Sequence, residues 1–229
     1  VRRASSSACE PVKPQAAIIA AITLIGGCGD SFSNVVDDTT DDGPCAVADV
    51  VRFDPGEGSG HGSDRLPGVV LGVPDGGKTS EGSLDVLSLG LGGELIVRLA
   101  CDVADGDGVD LVVYENAFLV GSTGNAFAEP AEVAVSSDGE TFQAFSCEAP
   151  TAQVAPDDGV DGCAGLAPVA ANDDNGLAGV FPDGGGDGFD LATVGLDRAR
   201  FVRIRDRSSA GAAPNAGFDL DAIVAVTRD

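Results

Sequence analysis

The sequence predicts an all-β protein, two antiparallel sheets packed face to face as a β-sandwich of about eight strands, and three observations predict it. Glycine supplies 33 of 229 residues and falls in non-repeating DG and GG pairs, the chemistry of tight turns between short strands. Short apolar runs recur between those turns, with clear period-2 alternation at 94–99. No segment after Cys28 keeps a 3.6-residue apolar period for three turns, so helix should be scarce. Apolar residues make up 43% of the chain, enough for a core, although ten Phe and one Tyr supply all its aromatic bulk.

Residues 1–27 read as a lipoprotein signal peptide. Arg2, Arg3 and Lys13 form a basic region, and 16–25 is an apolar run too short to remain as a membrane-spanning helix. Ile25-Gly26-Gly27-Cys28 looks like a lipobox, in which small residues let the chain enter a peptidase extended and the thiol of Cys28 accepts the lipid. The expected protein is therefore exported and lipid-anchored to the cell envelope or its outer surface. Residues 28–44 read as a flexible acidic tether whose Asp37-Asp38 and Asp41-Asp42 pairs are solvated. The β-sandwich domain is expected over 45–229.

Within that domain the first strand is expected at 47–53, and 67–73 is a further apolar segment. The Gly-rich stretch 53–62 is not a phosphate loop, because no Lys-Ser/Thr follows it and no βαβ pattern surrounds it. Runs 84–89 and 94–99, joined by Gly90-Leu91-Gly92-Gly93, read as a hairpin. A strand at 111–114 leads to Glu115 and Asn116 and then to a long Gly/Ser/Thr/Asn loop. Run 132–136 passes through Ser137-Asp138-Gly139 into a strand at 141–145. After a polar insertion at 147–165 and an irregular surface loop over 166–183, strands are expected at 189–194, 199–205 and 223–227.

Six cysteines are present. Cys9 lies in the signal region and Cys28 takes the lipid, leaving Cys45, Cys101, Cys147 and Cys163 with three connectivities. An even remainder in an exported chain favours two disulfides, and the lack of any CxxC pair argues against a zinc site. Cys147 with Cys163 is the sequence-local choice, which leaves Cys45 with Cys101.

Acidic residues outnumber basic ones 37 to 13, for a net charge of −24. Loss of residues 1–27 leaves 36 against 10, about −26. Half of those remaining cations sit at Arg198, Arg200, Arg203, Arg205 and Arg207, where they are expected to pair with carboxylates across the sheet. Nucleic acid is excluded as a partner class, since no basic groove is encoded. Carboxylates this dense repel one another unless counter-charged. Asp102, Asp105, Asp107 and Asp110, interleaved with Gly106 and Gly108, suit a loop that folds oxygens around Ca²⁺, with Glu115 and Asn116 next in sequence. The spacing is not that of an EF-hand.

Six segments, GSLDVLSLGLGGELIV (82–97), DGDGVDLVVYENAF (105–118), FAEPAEVAVSSDGETFQAFSC (127–147), GGDGFDLATVGL (185–196), ARFVRIRD (199–206) and FDLDAIVAV (218–226), resemble a group of bacterial, myxobacterial-type cell-surface lipoproteins. More distantly, Val133 to Phe142 and Ala199 to Ile204 are similar to the V-x-V-S-x-D-G-x-x-F and A-R-F-V-R-I strands of galactose-binding-like, discoidin-type jelly rolls. That resemblance implies a jelly-roll sandwich with a structural Ca²⁺ and ligand-binding loops at one end. The chain departs from it in having no Trp and only Tyr114 for sugar stacking.

The expected function is a calcium-stabilised, non-catalytic surface binding or adhesion module, with a polysaccharide or a surface protein as partner and the membrane reached through the N-terminal lipid. The alternative is a structural envelope lipoprotein with no small-molecule ligand. A hydrolase ranks last. Glu115 and Glu129 would have to act as a carboxylate pair, or His61, the single histidine, as base for a serine that lies on no G-x-S-x-G elbow.

Overall fold

A computed structural model describes residues 44–76, 79, 81–122, 124–127, 129–149 and 162–228. The segments expected to be signal peptide and tether, up to residue 43 and with Cys28 among them, and most of the polar insertion, 150–161, lie outside the described residues.

Strand formation follows the apolar alternation. β1 (Val47–Asp54), β3 (Glu94–Ala104), β11 (Arg198–Asp206), β7 (Ala131–Ser136) and β8 (Gln143–Ala144) lie in that order in one antiparallel sheet, with β9 (Cys163–Ala164) also on β7. In β3 the residues Leu95, Val97 and Leu99 are fully buried, while Glu94, Ile96 and Arg98 alternate toward the other face. A second sheet has the order β10 (Asp187–Phe189), β4 (Leu111–Glu115), β12 (Asp219–Ala225) and β2 (Leu87–Ser88). β5 (Phe118–Leu119) and β6 (Ala126–Phe127) form a separate small hairpin, closed by stacking of Phe118 on Phe127 with ring centroids 5.4 Å apart. Among the described residues there is no α-helix, only three short 3₁₀ turns. The protein is an all-β antiparallel sandwich.

The inward faces share one core, in which Leu87, Leu95, Val97, Leu99, Leu111, Val113, Val133, Ile204, Phe218, Leu220 and Ile223 pack together. A smaller cluster joins Val112, Tyr114, Ala222 and Val224 on the outer face of the second sheet to Val169, Ala171 and Leu177. Irregular chain therefore covers that sheet, which is why β4 reads as an unbroken apolar run and not as an alternating one. The hydroxyl of Tyr114 accepts from the Gly179 backbone N–H at 2.9 Å and pins the cover.

Two disulfides tie the sandwich, Cys45–Cys101 and Cys147–Cys163, with Cα separations of 5.6 and 4.7 Å. On the outer face of the first sheet, Arg203 lies 3.9 Å from Glu94, 3.8 Å from Glu132 and 5.2 Å from the Phe142 ring centroid, and Arg200 pairs with Asp102 at 3.3 Å. Arg200, Arg203 and Arg207 thus pair with carboxylates across the sheet as expected, whereas Arg198 and Arg205 form no ion pair among the described residues.

Three strand expectations change. The hairpin expected between 84–89 and 94–99 does not form: only Leu87–Ser88 is strand, and it pairs with β12 while β3 joins the other sheet. The N–H groups of Leu89 and Gly90 are taken by Phe218 and Ala216, both at 2.9 Å, so the glycine turn carries the chain between sheets. Close approach requires Gly93 there, because a Cβ would lie 2.1 Å from the Leu89 carbonyl oxygen. The strand expected at 189–194 ends at Phe189. Asp190 caps a 3₁₀ turn, Leu191–Val194, by accepting from the Ala192 N–H at 2.9 Å, a local bond that outcompetes the sheet. The last strand runs Asp219–Ala225, four residues earlier at its start than 223–227.

Candidate functional site

The acidic side chains gather at the two ends of β4. Asp110 precedes the strand and Glu115 ends it, about 16 Å apart at the rise of an extended strand. The residues expected to share one cation shell are therefore divided.

At the first end the carboxylate oxygens of Asp105, Asp110 and Asp190 lie within 4.8 Å of one another. Asp102 is not among them: it is exposed on β3 and pairs with Arg200. Asp107 is exposed and belongs to no such group. Asp110 is 1% exposed and well satisfied. Its Oδ1 accepts from the Gly106 N–H at 2.9 Å and from Arg228, and its Oδ2 accepts from the Leu191 N–H at 2.7 Å. Arg228 also donates to the carbonyls of Ala104 and Val109, at 3.4 and 3.1 Å. The acidic loop thus folds around a guanidinium from the far end of the sequence. Gly106 makes room for it, since a Cβ there would stand 2.0 Å from Nη1.

At the second end the carboxylates lack such a partner. Glu115 follows Leu111 and Val113 onto the inner face and is 2% exposed. The Asp219 backbone N–H donates to its carboxylate, yet Oε2 is buried without a hydrogen-bond partner. Burial first, then repulsion from Asp219 and Glu129, raises the Glu115 carboxyl well above the usual range. Glu129, also buried, is pushed to about 8 by burial and by the charges of Asp219 and Asp206. Asp219 is raised by burial, against the pull of hydrogen bonds from Ser88 and Asn116. Asn116 stands between, its Oδ1 accepting from the Ser83 N–H.

Asp221 reaches the same end by an irregularity of register. In the β12–β4 ladder Leu220 opposes Glu115 and Ala222 opposes Tyr114, so Asp221 is the extra residue of a β-bulge. Its two oxygens accept from the N–H groups of Asp75 and Gly76, both at 3.0 Å, and burial raises its carboxyl to about 7. Glu115, Asn116, Asp221, Glu81 and Ser83 line a small recess of about 10 Å³, the room of one water molecule or one ion.

Two further carboxylates, buried Asp206 and half-buried Asp187, serve the framework. Asp206 accepts from the N–H groups of Gly92 and Phe218, both at 2.8 Å, and from Ser208 at 3.2 Å, which fixes the crossover turn against the entry to β12. Asp187 accepts from Gly165 at 2.8 Å, Leu166 at 3.1 Å and Ala167 at 3.3 Å, while burial still lifts it to about 7.

Of the hydrolase candidates, Glu115 and Glu129 lie close enough for the charge of one to raise the carboxyl of the other. The recess beside Glu115 is far too small for a sugar ring. The His61 ring bonds the Leu84 carbonyl at 2.8 Å, and Ser88 donates its hydroxyl proton to Asp219, so the two form no nucleophile–base pair. A broader hollow of about 660 Å³ lies where β11 ends, lined by Arg205, Arg207, Ser208, Glu148 and Cys147.

Sequence reasoning missed Asp206 and Asp221, and it took Asp187, Asp190 and Asp219 only as ion-pair partners for Arg198, Arg203 and Arg205, whereas Arg203 pairs with Glu94 and Glu132. The readable signal was Asp206, in phase with inward Val202 and Ile204, and the D-x-D placed inside the apolar strand FDLDAIV. No protein-family model matches the chain, and no curated protein matches it in sequence.

Proposed function

We propose that this chain is a calcium-stabilised, non-catalytic surface binding module, built on a galactose-binding-like jelly roll and carried at the cell envelope by a lipid on Cys28. One observation carries the reading. The fold buries Glu115, Glu129, Asp219 and Asp221, and none of the ion pairs among the described residues gives any of them a cationic partner. An unpaired buried carboxylate costs several kcal/mol. A hard divalent cation that takes oxygen ligands is the counter-charge such a set selects. Ligand contact fits the Arg205–Arg207 hollow, whose polar lining suits an acidic polysaccharide or an acidic segment of a surface protein.

A structural envelope lipoprotein is the second reading, favoured by the Arg203 ion pairs with Glu94 and Glu132, which spend the clustered cations inside the fold. Calcium titration by calorimetry, with melting in calcium and in EDTA, separates the two. Saturable binding on the order of one or two equivalents and a raised melting temperature support the binding module. Flat heats and an unchanged melt leave the scaffold.

A further inference from the structure

We propose that the hollow beside Arg205 and Arg207 binds a sparsely charged acidic polysaccharide, one that carries single carboxylates on uronate-type rings. This rests on the surface-binding reading above and narrows its ligand to one class.

Arg205 is the anomaly that points there. In the β11 register it opposes Glu94 on one side and Glu132 on the other. Both glutamates approach Arg203 instead, at 3.9 and 3.8 Å, and Arg203 also lies over the Phe142 ring. Arg205 is left exposed, with no ion pair and no side-chain hydrogen bond among the described residues. In a chain with 37 acidic residues and 13 basic ones, a guanidinium set between two glutamates and bonded to neither is a cation left available to a ligand. Arg198, the other arginine of β11 without an ion pair among the described residues, stands at the opposite end of the strand.

Arg207 adds a second cation. Its N–H donates to the Pro130 carbonyl at 2.9 Å, so extended pairing continues past Asp206. Arg207 therefore follows Arg205 at the two-residue period of a strand, about 6.7 Å along. Its one ion pair among the described residues, to Glu132, stretches to 4.0 Å. Both arginines line the hollow of about 660 Å³, inside the range of about 300–1,000 Å³ usual for small-ligand sites. Guanidinium forks are matched to carboxylates by shape as well as by charge.

The other lining residues select among anions. Glu148 repels a densely sulfated or phosphorylated chain, yet its carboxylate accepts from sugar hydroxyls. Gly92 and Ala149 build no pocket for the bulky anchors on which peptide docking draws. Strand addition is closed too. At the exit of β11 the Asp206 N–H is taken by the Gly93 carbonyl and the Arg207 N–H by that of Pro130, both at 2.9 Å. A glycan with spaced carboxylates and many hydroxyls meets all of these conditions.

The test is calorimetric binding of hyaluronan oligomers and of oligogalacturonate to the full chain and to its Arg205→Gln, Arg207→Gln and Arg198→Gln variants. Poly-glutamate, heparin, carboxyl-reduced oligomers and Ca²⁺ alone are titrated beside them. Expected is binding of a uronate oligomer that Arg205→Gln weakens about tenfold, Arg207→Gln weakens less and Arg198→Gln leaves unchanged, with affinity falling as salt rises. Carboxyl-reduced oligomers should not bind the unmodified protein, a readout that needs no variant. Equal binding by Arg205→Gln, or binding of neither uronate, overturns the site. Poly-glutamate bound as tightly as the uronates overturns it in favour of an acidic protein segment. Tightest binding of heparin overturns it in favour of unselective charge attraction. Saturable calcium heats without uronate binding sink this site alone, and uronate binding with flat calcium heats sinks the calcium reading alone.

Discussion

Raising the pH should destabilise the metal-free protein, and Glu129 sets the scale. Its carboxyl sits at about 8 in the fold against 4.5 when free, because it is buried beside Asp219 and Asp206. Between those values the folded chain holds a proton that the unfolded chain has released. Its contribution to stability is therefore fully present below the unfolded value and is lost as pH rises toward the folded one, by about 1.4 kcal/mol per pH unit. From about pH 5 to about pH 8 this one group predicts a loss of about 3 kcal/mol. Asp187 and Asp221, each raised to about 7, act in the same direction. Urea unfolding in EDTA at several pH values measures it, with the midpoint moving down at constant slope. Glu129→Gln removes the proton-linked step and should flatten the profile. A stability that stays level or rises over this window, or a profile unchanged in Glu129→Gln, would refute the reasoning.

Arg228→Met strips the counter-charge from fully buried Asp110 and should cost about 3 kcal/mol, seen as a melting temperature lower by roughly 9 °C. Gly106→Ala drives a methyl into the same guanidinium, so the double variant should lose less than the sum of the two singles in a thermal-melt cycle. Asp206→Asn leaves at least one of the three N–H donors of Gly92, Ser208 and Phe218 poorly matched and should cost about 2 kcal/mol by urea unfolding. Replacing Cys45 and Cys101 by Ser should cost about 4 kcal/mol and replacing Cys147 and Cys163 about 3 kcal/mol, the order set by loops of 56 and 16 residues.

Much of the sandwich was legible because its causes are local. Alternation in β3 and β11 fixes which side chains face inward, Ser137-Asp138-Gly139 encodes the β7–β8 turn, and Cys147 with Cys163 is the sequence-local choice among the three pairings open to Cys45, Cys101, Cys147 and Cys163. The density of carboxylates around 102–116 was equally plain. Turn conformation and strand period depend on a few adjacent residues, and a sequence carries them in full.

Tertiary structure alone decided the rest. Which sheet 87–88 joins depends on Asp219 and Leu220, some 131 residues away, and the Gly90-Leu91-Gly92-Gly93 turn serves a crossover as readily as a hairpin. Arg228 becomes the partner of Asp110 across 118 residues. Asp221 reaches the end of β4 only because one residue bulges from the ladder, and Glu115 becomes a buried, half-satisfied carboxylate only once both sheets close over it. Desolvation and counter-charge are sums over every neighbour a fold assembles, so an acidic sequence shows how many carboxylates exist, and the packed sandwich determines which of them lack a partner.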